Sequence, residues 1–497
     1  MVDLEYLKMS PFEKLWFKIK SFFKRIPSAF AAFFKAIPKK LYKLWLAFAG
    51  IFINIGRAVK DGDMWTRSSF VVMGAGLVRR KQYLRGILYF LFEVAFVLYM
   101  VFFGGRYLSQ MGSLGTVARV EVTDPLTGVI DYEYIDDSFL ILLYSILTIF
   151  IIFAFAYMWY HNLKGSLIMQ QLKETKQHLP TVKEDIKSYG DENYHKSLLA
   201  VPMIGLFFFT VLPLFFMIIV AFTNYGPGHK PPQDLFQWAG FESFKTVFGG
   251  GVDVSANMFG QVLLWTIVWA FFATFSNYVL GMLVAILINR KGIKFKKLWR
   301  TILVMTIAIP QFVSLLFMSQ FLADQGLLNN LLQDWGWIDK PIPFLTDGTL
   351  ARTTIIIVNI WIGVPFSMLI CTGILMNIPE DLYESARIDG ASPFKAYIKI
   401  TLPYMLQVTT PYLITQFIGN LNNFNVIYLL SGGGPDMIEG TAGKTDLLIT
   451  WLYKLTKDND YFAVASVIGI LTFVVSAVFS LVLYNRSKSV KNEEEFM

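Results

Sequence analysis

Gly443, Lys444 and Thr445 are the residues most suggestive of chemistry, because Gly-Lys-Thr closes the phosphate loop that holds ATP in many proteins. That loop needs G-x-x-x-x-G-K-[ST], so that a glycine-rich backbone wraps the phosphates between a strand and a helix. The position five before Gly443 is Ile438, and no other G-K-[ST] occurs. Four histidines (His161, His178, His195, His229) stand in polar stretches without metal-ligand spacing, so neither metal nor cofactor is expected. A different pattern is Gln416, Asn420 and Asn423, spaced four and three apart, which a helix would align as one stripe. Amides carry both donors and an acceptor, as the hydroxyls of a sugar require, and the stripe has no charge with which to hold an ion. Amides also join helices inside membranes, so two readings fit. Glu93 is the other ionisable group inside an apolar run; it suits proton coupling or pairing within a helix bundle.

The elements that must position these residues are membrane helices. The chain has 497 residues, 55% of them hydrophobic and 16% charged, against roughly 25% charged in soluble domains. Runs such as 141–160 and 197–222 are each long enough for the roughly 20 residues that span a bilayer core. Eight spans are expected, at 84–103, 139–160, 198–223, 261–288, 301–322, 353–376, 404–424 and 461–484. The connections 1–83, 161–197, 289–300, 377–403 and 485–497 hold 34 lysines and arginines, against 9 in the alternate set. The positive-inside bias then places both termini in the cytoplasm. On this topology Gly443-Lys444-Thr445 lies outside the cytoplasm, where no ATP pool is expected. The net charge of +8 points to anionic lipid and orientation, not to nucleic acid. The one cysteine, Cys371, excludes an internal disulfide.

Two cytoplasmic segments carry further information. Within 1–83, Phe12, Leu15, Trp16, Ile19 and Phe23 fall at helical spacing among Lys14, Lys18, Lys20, Lys24 and Arg25, as in a basic amphipathic helix on a membrane surface. In 377–403, Pro379 suits the first position of a helix whose first turn carries Glu380 and Asp381. Gly390 suits the left-handed stop of that helix, and Ser392-Pro393 the cap and first position of a second one. Capping rules alone would build such a bracket as a connector or as a docking surface.

Resemblance favours the docking surface. Glu384-Ser385-Ala386, then Gly390, then nine residues to Ile400, with Leu402-Pro403 closing, resembles the E-A-A-x3-G-x9-I-x-L-P motif of ABC importer permeases; Ser385 is the one departure. The stretch 358–403 and the later "NNFNVIYLLSGGGPD" resemble the larger permease subunit of maltose/maltodextrin importers, convincingly over 260–484 and in layout from residue 84. The resemblance implies an all-α polytopic protein: a surface segment 1–83, two leading helices in 84–160, a cytoplasmic connection 161–197, a six-helix permease core 198–484 and a tail 485–497. It implies a subunit with no ATPase site of its own in a bacterial cytoplasmic membrane. The partners implied are a second, smaller permease, two ATP-binding subunits and an extracytoplasmic sugar-binding protein. The loop 377–403 would seat in the ATPase. Sugar contacts would fall at Ile362, Gly363, Phe366, Gln416, Gly419, Asn420 and Asn423, with Ile307 and Gln311. Gln416, Gly419, Ile307 and Gln311 depart from the family's residue types, and the changes at Gly419 and Ile307 remove aromatic surface, which leaves a different neutral oligosaccharide open as substrate. The short connection 224–260 lacks the folded domain that some members carry there. A proton-coupled secondary sugar transporter is the alternative from another class; it would want inverted repeats and several intramembrane carboxylates, and neither is found.

Overall fold

The computed structural model describes residues 45–46, 49–123, 130–188, 190–249, 254–290, 292–438 and 440–486. The amphipathic pattern at 12–25 and the tail beyond Arg486 lie outside the described residues. The chain forms two compact units, 1–239 and 240–497.

The first unit carries three long apolar helices: α1, Tyr83–Gln110; α2, Ser138–Glu174; and α3, Tyr194–Val220. Asp137 starts α2 by accepting bonds from the amides of Phe139 (2.8 Å) and Leu140 (3.1 Å). Between α1 and α2 the chain makes an antiparallel hairpin, Arg119–Thr123 with Ile130–Tyr134, a two-stranded element that the span pattern did not foreshadow. At 37 residues α2 is about 55 Å long, far more than a bilayer core requires. It therefore continues into the polar stretch expected to be connection from residue 161. There Asn162, Ser166 and Gln170, four apart, face the segment that precedes α1. The Gln170 carbonyl accepts from the Asp63 amide and the Thr66 hydroxyl, both 2.9 Å, and Asn162 accepts from the Gly74 amide, 2.9 Å. Arg80, buried in the same segment, donates to Asp63, Thr66 and the Gly76 carbonyl, each at 2.8 Å. Glu93 accepts the Met73 amide at 2.8 Å, so this carboxylate serves the packing of that segment onto α1.

The second unit begins its long helices with α4, Ala256–Asn289. The fifth expected span is broken into α5, Lys296–Ala308, and α6, Gln311–Phe321, bent by 88°. Pro310 cannot donate and forces Ile309 into extended backbone (φ −80°, ψ 127°), which ends α5. Then follow α7, Gly348–Leu375; α8, Glu380–Ile388; α9, Leu402–Leu421; α10, Phe424–Ser431; α11, Leu448–Lys457; and α12, Phe462–Arg486. Gly281 of α4 lies against Ser367 and Met368 of α7; a Cβ there would fall 2.5 Å from that of Ser367, so the absent side chain sets how closely the helices approach. Trp265, Trp269, Ile355 and Leu430 fill one end of the contact, and Tyr278, Met282, Met368 and Met405 the other.

Among the described residues six helices are long and apolar enough to cross a membrane, or seven if the bent pair is one span, against the eight expected. The difference is the seventh expected span. It is helical at Leu402–Leu421, but Gln407, Thr409, Thr410, Thr415, Gln416 and Asn420 make it too polar to be counted with the others.

Candidate translocation site and coupling loop

In the second unit α4, α7 and α9 enclose a cavity of about 60 Å³. Its polar groups are Thr274 and Asn277 from α4, Ser367 from α7, and Tyr412 and Gln416 from α9; Gly363 and Phe366 complete its α7 wall. The wall is made of amides, hydroxyls and rings, with no charged side chain. The buried Asn277 Oδ1 has no hydrogen-bond partner among the described residues, which leaves one acceptor open beside the cavity. Gly363 is required there. A Cβ at that position would lie 2.1 Å from the Asn277 amide nitrogen, so glycine lets α7 pass over the amide of α4. The volume holds a few waters and is below the roughly 300–1,000 Å³ of most ligand sites, so a sugar needs a more open arrangement of these helices.

Of the positions expected from sequence, Gly363, Phe366 and Gln416 meet at this cavity. Asn420, one turn beyond Gln416, donates to the Thr274 hydroxyl at 3.0 Å. Asn423 is not on the α9 stripe. The helix ends at Leu421, and Asn423 caps α10 by accepting the Val426 amide at 3.2 Å while donating to Asn420 at 3.2 Å. Both asparagines therefore have helix-joining bonds, and a sugar would compete with them. Ile362 packs into the core formed around Trp269, and Gly419 faces open space. Ile307 and Gln311 flank the Pro310 break, exposed and outside the cavity wall. Asn277, Ser367 and Tyr412 were missed in the sequence; the signal was present, since Thr274 and Asn277 are polar residues inside the apolar run of α4.

The loop 377–403 folds as a helix, a glycine bend and a second helical stretch. Pro379 is the N-cap of α8 rather than its first residue, with Glu380 and Asp381 in the first turn. The end is a Schellman motif: the Ala391 amide donates to the Ala386 carbonyl at 2.8 Å, the Gly390 amide to Arg387 at 3.1 Å, and Gly390 has φ +72°. Ser392 then accepts the Lys395 amide (3.3 Å) with Pro393 in the first turn, and helical backbone runs on through Tyr397–Thr401 into α9. The Tyr383 and Thr401 hydroxyls, 2.8 Å apart, brace the two arms. Glu384, Ser385 and Gly390 are exposed and Ala386 half-buried, while Leu382, Ile388 and Phe394 present apolar surface at 46%, 86% and 72% exposure. Ile400, Leu402 and Pro403 lie past the bend, where the chain enters α9.

The Gly443-Lys444-Thr445 loop uses its own amides. Gly443 donates to Asp446 (2.7 Å), Lys444 to the Pro435 carbonyl (2.7 Å) and Thr445 to the Gly433 carbonyl (3.1 Å). No strand of a phosphate-binding turn precedes it among the described residues, and α11 starts only at Leu448. Asp446 is fully buried; it also accepts from the Thr450 hydroxyl and from Lys454, both at 2.9 Å. Burial pushes its carboxyl above the usual carboxylate range, with Lys454 and the Gly443 amide pulling the other way.

Long apolar helices, an uncharged cavity between three of them and a braced loop beyond it define an all-α polytopic membrane protein of the transport class. Residues 277–491 match the family "Binding-protein-dependent transport system inner membrane component", and the chain belongs to that family of sugar ABC importer permeases. It is 34% identical over 424 residues to "Galactooligosaccharides transport system permease protein GanP" of Bacillus subtilis, covering 85% of this chain and 97% of that one. It is 29% identical over 433 residues to "Maltodextrin transport system permease protein MalC" of Streptococcus pneumoniae, covering 85% and 96%. In fold it is similar to a chain of the bacterial alginate ABC transporter solved with an alginate pentasaccharide-bound periplasmic protein: TM-score 0.51, 23% identity, 61% of this chain and 97% of that one.

Proposed function

We propose that this chain is the larger membrane-spanning subunit of an ATP-driven importer of a neutral oligosaccharide, maltodextrin-like or galacto-oligosaccharide-like. The observation that carries this reading is the exposed, Schellman-closed loop 377–403, a rigid apolar knob suited to a cleft in a soluble subunit. In this reading α8 and the bend seat in a cytoplasmic ATPase through Glu384, Ser385, Ala386 and Gly390. A second ATPase, a smaller permease and an extracytoplasmic sugar-binding protein complete the machine. Hydrolysis belongs to the ATPases, and this chain transmits it to α9. Both termini are cytoplasmic. Single-cysteine labelling in a Cys371→Ser background checks that orientation: Gln233→Cys and Asp436→Cys should react from outside, Lys183→Cys and Lys296→Cys only after permeabilisation. Lys183 is chosen over its neighbour Glu184 because that carboxylate, held down to about 2 by the Thr181 amide and His178, braces the turn. Reversed access at any of the four would break the topology.

The sugar path, in the same reading, runs past Phe366, Gln416 and Asn420, with Asn277 as an added acceptor and Asn423, Gly419, Ile362, Ile307 and Gln311 nearer its ends. Each amide lost to the sugar should cost about 1–3 kcal/mol, roughly 5- to 150-fold in the affected step. Asn420→Ala and Asn423→Ala should therefore lower oligosaccharide uptake by membrane vesicles while ATPase docking survives. Leu421, although it points away from the amide stripe, is not a silent control. It is 1% exposed and packs with Ala270 and Phe417, so its truncation should cost about 2–5 kcal/mol. Exposed Val408 of α9 is the better choice. Normal uptake in both asparagine variants would leave the amides as helix-joining groups only.

A further inference from the structure

Ahead of α1 the first unit has an open groove of about 550 Å³ that neither the sugar path nor the coupling loop uses. Trp65, Val72, Val78, Ile87 and Phe90 make its apolar floor, each exposed by between 37% and 51%. Arg79 and Lys81 stand on its rim. The groove is built by a close crossing. Gly74, at φ +86°, passes over the first turn of α1 so tightly that a Cβ on it would meet the Gly86 carbonyl oxygen at 2.0 Å. Arg79 is held with its guanidinium 5.6 Å from the centre of the Trp65 ring. Lys81 sits on backbone at φ +63°, uncommon for a side-chain-bearing residue.

The charge of this segment is unbalanced. Residues 54–93 hold seven Lys/Arg against three Asp/Glu. Two of those acids are engaged inside the unit, Asp63 by Arg80 at 2.8 Å and Glu93 by the Met73 amide at 2.8 Å. Arg79 and Lys81 have no acidic partner among the described residues. They stand immediately before a 28-residue apolar helix that opens on exposed Tyr83, which is the depth at which a bilayer keeps its phosphates. Apolar floor below, paired cations above and a position at the membrane surface match one ligand chemistry.

We propose that the groove 65–90 binds an anionic membrane phospholipid, its phosphate between Arg79 and Lys81 and its acyl chains along Val78, Ile87 and Phe90. The bound lipid ties the segment before α1 to the bilayer through the crossing of Gly74 and Gly86.

The test uses the assembled transporter, purified in detergent, relipidated with phosphatidylcholine alone or mixed with phosphatidylglycerol, and read by native mass spectrometry after washing. The wild type should retain phosphatidylglycerol and not phosphatidylcholine. Arg79→Glu/Lys81→Glu should hold it on the order of 30-fold more weakly, from two surface cation–phosphate attractions. The charge-matched Lys183→Glu/Lys187→Glu should behave as wild type and reports that assembly survives charge reversal. Equal retention by the groove variant, or equal retention of the two lipids, overturns the proposal. So does efficient cross-linking of Val78→Cys to another subunit, which would make a protein the occupant.

Discussion

Gly390→Pro should abolish transport and release the ATPase on co-purification, while the chain still inserts into the membrane. The bend has φ +72°, and proline fixes φ near −65°. Proline also lacks the amide that donates to Arg387 at 3.1 Å, and the motif's other bond, from Ala391 to Ala386, depends on the same turn. Without the Schellman turn α8 has no fixed direction relative to α9, and the surface made by Leu382, Ile388 and Phe394 is dispersed. Gly390→Ala separates shape from space. Nothing lies within 4 Å of a Cβ built there, so alanine meets only the left-handed backbone penalty of about 1–2 kcal/mol. It should transport at a reduced level, and Gly390→Asn should come closer to wild type. Unchanged uptake in Gly390→Pro would make 377–403 a connector.

Asp446→Ala should destabilise the second unit strongly. It strips the buried partner from Lys454, leaves the Gly443 amide without its acceptor, and leaves the Thr450 hydroxyl only the Leu447 carbonyl at 3.1 Å. Breaking a buried pair from one side costs about 3–5 kcal/mol. At 2–4 °C per kcal/mol that is roughly 6–20 °C in the melting temperature of the detergent-solubilised chain. Lys454→Met should be milder and depend on pH. Burial already raises the Asp446 carboxyl, and loss of the ammonium raises it further. A carboxyl raised in the folded state favours folding below its unfolded value and loses that advantage as pH rises through the folded one. The Lys454→Met deficit should therefore be largest at neutral pH and shrink towards pH 4. A deficit that grows on acidification would contradict the assignment of burial as the dominant influence.

What the sequence disclosed and what it withheld divide along a physical line. Features fixed by local chemistry were readable: the apolar runs, the left-handed bend at Gly390, and the cap at Ser392. Pro379 came one place earlier than expected, within the range over which capping residues shift. Features fixed by packing were not readable. Leu421 lies on the side of α9 away from the amide stripe, and only the contact with Ala270 shows that side to be core. Asn423 fits the helical spacing, yet α9 ends two residues before it. The polar residues of α2 past 160 read as a connection because their partners, Asp63, Thr66 and Gly74, are about a hundred residues away in sequence. Asn277 stands out only once Gly363 and Gln416 are seen around the same cavity.

Whether ATP drives sugar through this chain is read from uptake by proteoliposomes that hold it with its second permease and ATPases. Binding protein and labelled maltodextrins or galacto-oligosaccharides are supplied outside, and ATP is sealed inside or omitted. Uptake that requires both lumenal ATP and the binding protein, and that is indifferent to a proton gradient, is the expected result. Uptake by this chain alone, driven by a proton gradient without ATP, would contradict the account.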